Sequence, residues 1–453
     1  MKMPRWMLAP PPSAYAEDAA APSTSSTAST TPASPSPSTP DQPDNPSDQS
    51  RPVADRHALR RVRWLCIGLG TLFLFVVWLS MGISTTYPGD EERFIESARA
   101  FAGLPSLEFL RTYEEMSGPL PFWYWGNWGQ LFGDSLISMR LATMVWGVIT
   151  LWLLFEVLAS LLPRPRWVAI AFACVILNPY WWTMSIFAYT DIFGMAGLLL
   201  ASIGVVRGRS WWDVAYIVVG LAVALLSRQY LVFALPAMGI VALSWWAVDR
   251  RMAIKLLGAI AVGCLPLIML VLLWRGLGPD NVLKDTYQTG LLRWKFESAW
   301  LYLCLMGIYG LPLWVWLRKV ATFRRWEWLL AVITLIVGGL VFITPSDSAI
   351  AVGFTTVGLF DRTMQWLGLI DSVRHLIWTL GGVLGVLLLA RLTTRAAANI
   401  TQGRLGPDTY ILLILLGVLI VMPLSYLHWE KYFIPALPWL CAGIVRLKLA
   451  ARG

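Results

Sequence analysis

Apolar residues in this chain run in long blocks separated by short polar stretches. The blocks lie at 64–84, 137–161, 166–183, 186–206, 212–227, 230–248, 254–274, 298–317, 328–344, 375–391, 409–427 and 432–447. Blocks of about twenty residues match the thickness of a bilayer's hydrocarbon core. A backbone in lipid must satisfy its hydrogen bonds internally, so each block is expected to be a helix. The pattern predicts an all-α polytopic membrane protein with a bundle of about twelve helices.

Three of the stretches expected on the outer face, 85–136, 276–297 and 345–374, are too long for simple turns. Long connections in compact proteins are usually functional or disordered. The first predicts two amphipathic pieces lying along the membrane interface. In 92–102, Phe94, Ile95, Ala98 and Phe101 share one helical face. In 119–132, Pro119 to Trp125 form a strongly aromatic run. Residues 1–55 form a separate region rich in Pro, Ser, Thr and Ala. Such a segment buries too little surface to offset its ordering entropy, so a disordered tail is expected before a membrane domain over 56–453.

Composition supports this picture. The chain is 57% hydrophobic and 14% charged, well below the charge of a soluble domain. Its net charge of +9 does not signal nucleic acid. The basic residues sit in short loops and in the cluster Arg51, Arg56, Arg60, Arg61, Arg63, where the positive-inside rule places them. Both termini are therefore expected in the cytoplasm. The long segment 85–136, with its excess of acids, is expected on the other face. Many of the 26 Trp lie near block ends, as in an aromatic belt. The five cysteines all fall within apolar blocks and form no C-x-x-C pair, so they read as packing residues rather than metal ligands or disulfides.

Candidate chemistry begins at Asp90-Glu91, just after Pro88-Gly89 bend the chain out of the first block. Asp90 is either the N-cap of a following helix or a general base toward an acceptor hydroxyl. Asp191 and Arg228, at the ends of neighbouring blocks, either pair with each other or line a cavity. Glu114 and Glu115 read as solvated loop charges, with an acceptor-supporting role for Glu115 as the alternative. Glu156 reads as interfacial, and Tyr180 to Trp182 and Phe122 to Trp128 as belt aromatics. Asp280, Asp285, Arg293 and Lys295 are candidates for acceptor contact.

These landmarks resemble the GT-C glycosyltransferases that use polyprenyl-phosphate-linked sugars. Asp90-Glu91 with Phe94, Ala98 and Phe101, then Ser117-Gly118-Pro119-Leu120, then Phe132 to Leu141, are similar to the protein mannosyltransferase and aminoarabinose transferase families. Asn178-Pro179, Phe187 to Asp191 and Ser227-Arg228-Gln229 resemble the dolichyl-phosphate-glucose glucosyltransferase family. Glu430 to Pro435 with Pro438 resembles the last-loop motif of bacterial members. Ser117-Gly118 stands where many relatives have His-Pro, and Lys431 where Arg is commoner, so the donor sugar is not fixed by the resemblance.

The resemblance implies a membrane glycosyltransferase of GT-C architecture. It would move one sugar from a polyprenyl-phosphate donor to a glycan, lipid-linked or protein acceptor on the extracytoplasmic or luminal face. The membrane would be the plasma membrane in a bacterium and the endoplasmic reticulum in a eukaryote. Asp90 and Glu91 would be the catalytic residues, with Asp90 as the base of an inverting displacement. Arg228, Lys431 and His428 would bind the donor phosphate. Tyr189, Asp191, Gln229, Glu115 and Tyr432 would support them. No resident cofactor is implied; a divalent cation is the one candidate. The rival classes are a lipid or solute transporter and a non-catalytic scaffold. The rival transporter class favours repeated halves and charges near the midplane, whereas this chain gathers its acids after the first block.

Overall fold

The computed structural model describes residues 53–86, 89–208, 210–279, 293–316, 324–351, 353–401, 405–425 and 428–450. The expected tail therefore lies outside the described residues up to position 52, as do Asp280 and Asp285. Among the described residues the chain is all-helical, a multi-pass membrane bundle. Helix α1 (Val53–Val77) ends in a π turn over Trp78–Gly82. The first long connection folds into α2 (Glu91–Ala100), α3 (Leu107–Thr112) and α4 (Leu120–Phe132). Then follow α5 (Leu136–Leu161), α6 (Pro165–Ile176), α7 (Pro179–Ile186), α8 (Asp191–Arg207) and α9 (Trp211–Ser227). After a 3-10 turn come α10 (Leu235–Ser244), α11 (Arg250–Trp274), α12 (Phe296–Trp316) and α13 (Arg325–Gly339). The chain closes with α14 (Asp347–Ala351), α15 (Leu359–Trp366), α16 (Asp371–Thr401), α17 (Pro407–Val421) and α18 (Leu437–Ala450).

Among the described residues each of the twelve apolar blocks contains helix, but they are not twelve equal spans. By length and composition, 8 helices of the described chain can cross a membrane, or up to 9 if a bent pair counts as one. The bent pair is the block 166–183, which breaks between α6 and α7 by 70°. Asn178 causes the break: its side chain caps α7 by accepting the Tyr180 N–H, and Pro179 takes the first helical position. Helices α8, α9 and α13 have 17, 17 and 15 residues, at or below the short end of a full crossing.

Ion pairs show which helix ends share a face of the bundle. Arg228 after α9 pairs with Asp191 at the start of α8. Trp274 at the end of α11 donates to the Leu110 carbonyl of the first connection. At the opposite end, Glu156 bridges Arg63 and Arg207, Glu327 pairs with Arg391, and Asp408 holds both Arg395 and Arg446. Glu156 is thus a staple between α1, α5 and α8 at that end of the bundle. Close helix contact relies on small residues. A Cβ on Gly197 would meet the Ala224 nitrogen at 2.4 Å, and one on Gly220 the Ala201 nitrogen at 2.4 Å. Small-xxx-small faces let α8 and α9 approach in this way.

The first connection is more embedded than an interfacial layer. Phe94, Ile95, Ala98 and Phe101 are buried on one face of α2, as the pattern predicts. Phe122 and Trp125 of α4 are also fully buried, as is Trp181 of α7, so these three are core rather than belt. Trp123, at 40% exposure, faces outward. The five cysteines are free thiols.

Candidate functional site

One side chain organises the turn after the first span. Arg140, near the start of α5, is wholly buried. Its Nε donates to Glu91 Oε1 at 2.9 Å, and its Nη2 to Glu91 Oε2 at 2.5 Å and to the Thr86 carbonyl at 2.7 Å. Its Nη1 donates to the Gly82 carbonyl at 2.9 Å and the Ser84 carbonyl at 2.5 Å. All five guanidinium N–H groups are thereby used. Glu91 Oε1 also accepts the Ala188 N–H at 2.8 Å. The segment from Gly82 to Glu91 is therefore held at both ends by one guanidinium. Glu91 is committed to that grip.

Asp90, its neighbour, is not committed. It begins α2 but its side chain caps nothing. Its backbone, at φ −81° and ψ 3°, lacks the extended geometry from which an N-cap side chain folds back onto the first N–H groups. The cap expectation is thus replaced by a half-exposed carboxylate, 4.0 Å from Lys431 Nζ and 3.9 Å from Arg93 Nη2. Gly89 makes this presentation possible. Its φ is +60°, and a Cβ there would lie 2.7 Å from the Tyr189 hydroxyl. Gly89→Ala is expected to destabilise the protein by on the order of 1–2 kcal/mol, read as a lower thermal midpoint in detergent.

Three other helix ends converge on Asp90. Asp191, fully buried in the first turn of α8, accepts from Arg228 Nη2 at 2.5 Å and from the Tyr230 hydroxyl at 3.0 Å. The expected Asp191–Arg228 pair is present. Lys431, just after the loop that follows α17, is flanked by the rings of Tyr189 and Tyr432, 5.7 Å and 5.6 Å from its ammonium. It feels the charges of Asp191, Arg228 and Asp90 together. The rings of Tyr230 and Tyr432 meet at a tilt of 56° with centroids 5.0 Å apart. Among the described residues, the buried Nε of Arg228 and Nε2 of Gln229 have no hydrogen-bond partner.

Arg93 links this cluster to Glu115. It donates through Nε to Glu115 Oε1 at 2.9 Å, and Ser97 donates to the same oxygen at 3.1 Å. Glu115 is buried at 1% exposure, so it is not a solvated loop charge; Glu114 remains exposed. Burial lifts the Glu115 carboxyl above the usual carboxylate range, against the pull of Arg93 and Ser97.

His428 stands apart. Its Nε2 meets the Thr344 carbonyl at 2.7 Å, and its charged neighbours are Lys295, Glu297 and Asp347. Burial pushes its imidazole below the ordinary value, which favours the neutral ring over a cation. The structure thus groups Asp90, Lys431, Arg228, Asp191, Tyr189 and Tyr432, and leaves His428 in a different neighbourhood. Among the described residues, no three His, Cys, Asp or Glu side chains gather as a cation site.

Arg140, Arg93 and Tyr230 were not singled out from sequence. Arg140 carried a usable signal: it is an ionisable residue inside an apolar block, and such residues are costly unless paired.

Comparison with known proteins adds little beyond this. No family model matches the chain, and no curated protein matches it. Two solved structures of ArnT from Cupriavidus metallidurans are similar. The one bound to undecaprenyl phosphate has 16% identity and a TM-score of 0.40, over 85% of this chain and 78% of that one. The apo form has 15% identity and a TM-score of 0.40, over 85% and 77%. At such distance the activity rests on the side chains of this chain.

Proposed function

We propose that this protein is a membrane glycosyltransferase that moves a sugar from a polyprenyl-phosphate donor to an acceptor hydroxyl on the extracytoplasmic or luminal face. One observation carries the proposal. An uncapped carboxylate, Asp90, stands beside Lys431, with Arg228 and the unpartnered donors of Arg228 and Gln229 nearby. That is a base facing an anion site. Asp90 takes the proton of the acceptor hydroxyl as its oxygen attacks the anomeric carbon. The bond from that carbon to the phosphate oxygen breaks on the opposite side, inverting the centre. The polyprenyl phosphate leaves with added negative charge, which Lys431 and Arg228 offset. Arg228 offers a directional N–H donor to the phosphate, and Lys431 a point charge. Asp191 and Tyr230 hold the guanidinium in place. Glu91, bound by Arg140, positions Asp90, and Glu115 acts through Arg93. The sugar and the acceptor are assigned only as classes. Turnover of a short synthetic polyprenyl-phosphate sugar by the purified protein in detergent tests the proposal. Absence of transfer and of hydrolysis across a panel of sugars and acceptors would count against it.

The charge distribution supports this sidedness. Basic residues crowd the end of the bundle opposite Asp90, including Arg63, Arg207, Arg391, Arg395 and Arg446. Tags at either terminus or in 391–404 are expected to report cytoplasm, and a tag near 103 the other face. A cytoplasmic report from position 103 would put Asp90 on the wrong side for this reaction.

A further inference from the structure

We infer that Glu430, a buried carboxylate with no role in the chemistry above, is a positioning residue that sets Lys431 by clasping a distant loop. This rests on the assignment of Lys431 to the donor phosphate. Glu430 is 1% exposed. Among the described residues it has no basic partner within ion-pair distance. It is bound instead by neutral donors from three separate parts of the chain. The Tyr309 hydroxyl of α12 donates to Oε1. The Tyr180 hydroxyl of α7 donates to Oε2 at 3.3 Å, and the Phe360 N–H at the start of α15 donates to Oε2 at 2.8 Å. Tyr180 in turn accepts the Leu359 N–H at 2.6 Å. The Glu430 backbone N–H donates to the Val357 carbonyl at 2.9 Å. The fit is close: a Cβ on Gly358 would come 2.2 Å from Oε2.

A buried carboxylate is costly unless its lone pairs are filled, and only a carboxylate accepts on both oxygens. An amide would keep one acceptor oxygen for the Phe360 N–H and put an NH2 opposite Tyr309, whose hydroxyl would then have to turn from donor to acceptor. The clasp in its present form therefore uses both oxygens of an acid. It fixes the backbone of Glu430, and the next residue is Lys431. The peptide that carries the ammonium is anchored to α7, α12 and the segment Val357–Phe360, while the ammonium faces Asp90 on the other side. Neither the Tyr309 nor the Tyr180 hydroxyl belongs to the phosphate site. The Tyr309 ring also stacks on Phe433, two residues past Lys431, so removing the hydroxyl alone isolates the part that acts through Glu430.

A double-mutant cycle on binding of polyprenyl phosphate, without a sugar, to the full-length protein in detergent tests this. Glu430→Gln is expected to weaken binding about tenfold, the scale of coupling between adjacent groups. In a Lys431→Ala background, the same substitution is expected to change binding less than about twofold, because the residue it acts through is gone. Wild-type affinity for Glu430→Gln, or the same tenfold loss in both backgrounds, would overturn the inference. Tyr309→Phe removes one of the donors and runs the same cycle if Glu430→Gln does not fold. If the wild-type protein binds no polyprenyl phosphate, the phosphate-site assignment fails and the inference falls with it. That result is distinct from an additive cycle in a protein that binds.

Discussion

Asp90→Asn is expected to lower turnover by about two to four orders of magnitude, the usual worth of general-base catalysis. Asn keeps the size and polarity of the side chain and removes its basicity. The structure sharpens the test, because the Asp90 carboxylate accepts no N–H from α2. No cap is lost, so Asp90→Asn and Asp90→Ala should both melt near the wild-type temperature. The alternative, an N-cap, predicts the reverse: Asn silent, and Ala costing on the order of 1 kcal/mol. Arg228→Ala is the contrasting variant. It removes a phosphate partner and also strands the buried Asp191, so it should weaken donor binding as well as slow the reaction. Rates measured at saturating donor separate these effects. Turnover of Asp90→Asn within a few-fold of wild type would remove Asp90 from the chemistry.

The parts of this molecule visible from sequence are those set by local pattern. Each apolar block forms a helix because lipid leaves its backbone no other solution. The buried face of α2 follows from the spacing of Phe94, Ile95, Ala98 and Phe101. Asn178-Pro179 is also a local signal, a cap followed by a first-turn proline, and a block drawn through it misses the 70° bend. Pairing across the bundle has no such signature. Glu91 and Arg140 are 49 positions apart, and Glu430 and Tyr309 are 121 apart. Whether Glu115 is solvated or buried depends on where Arg93 and Ser97 point after α2 has docked. His428 lies only three positions from Lys431. The turn between them nonetheless sends one to Thr344 and the other to Asp90.

The largest loss of stability is expected from Arg140. Removing one partner of a buried ion pair leaves the other charge uncompensated, at a cost of about 3–5 kcal/mol. Arg140→Met would leave the wholly buried Glu91 with only the Ala188 N–H, and would release the Gly82, Ser84 and Thr86 carbonyls. Arg140→Lys should rescue little, since an ammonium has three donors and cannot match the bidentate grip on Glu91. The double variant Arg140→Met with Glu91→Leu discriminates further. Replacing a whole buried pair by apolar groups is often neutral or stabilising, so the melting temperature should recover toward wild type. Turnover should not recover, because nothing then ties the segment from Gly82 to Glu91 to α5, and Asp90 loses its fixed approach to Lys431. Thermal unfolding in detergent and transfer rates on the same three preparations read the two effects separately. If the double variant regains activity along with stability, the guanidinium is only a structural plug, and the geometry of Asp90 is set by something other than Arg140.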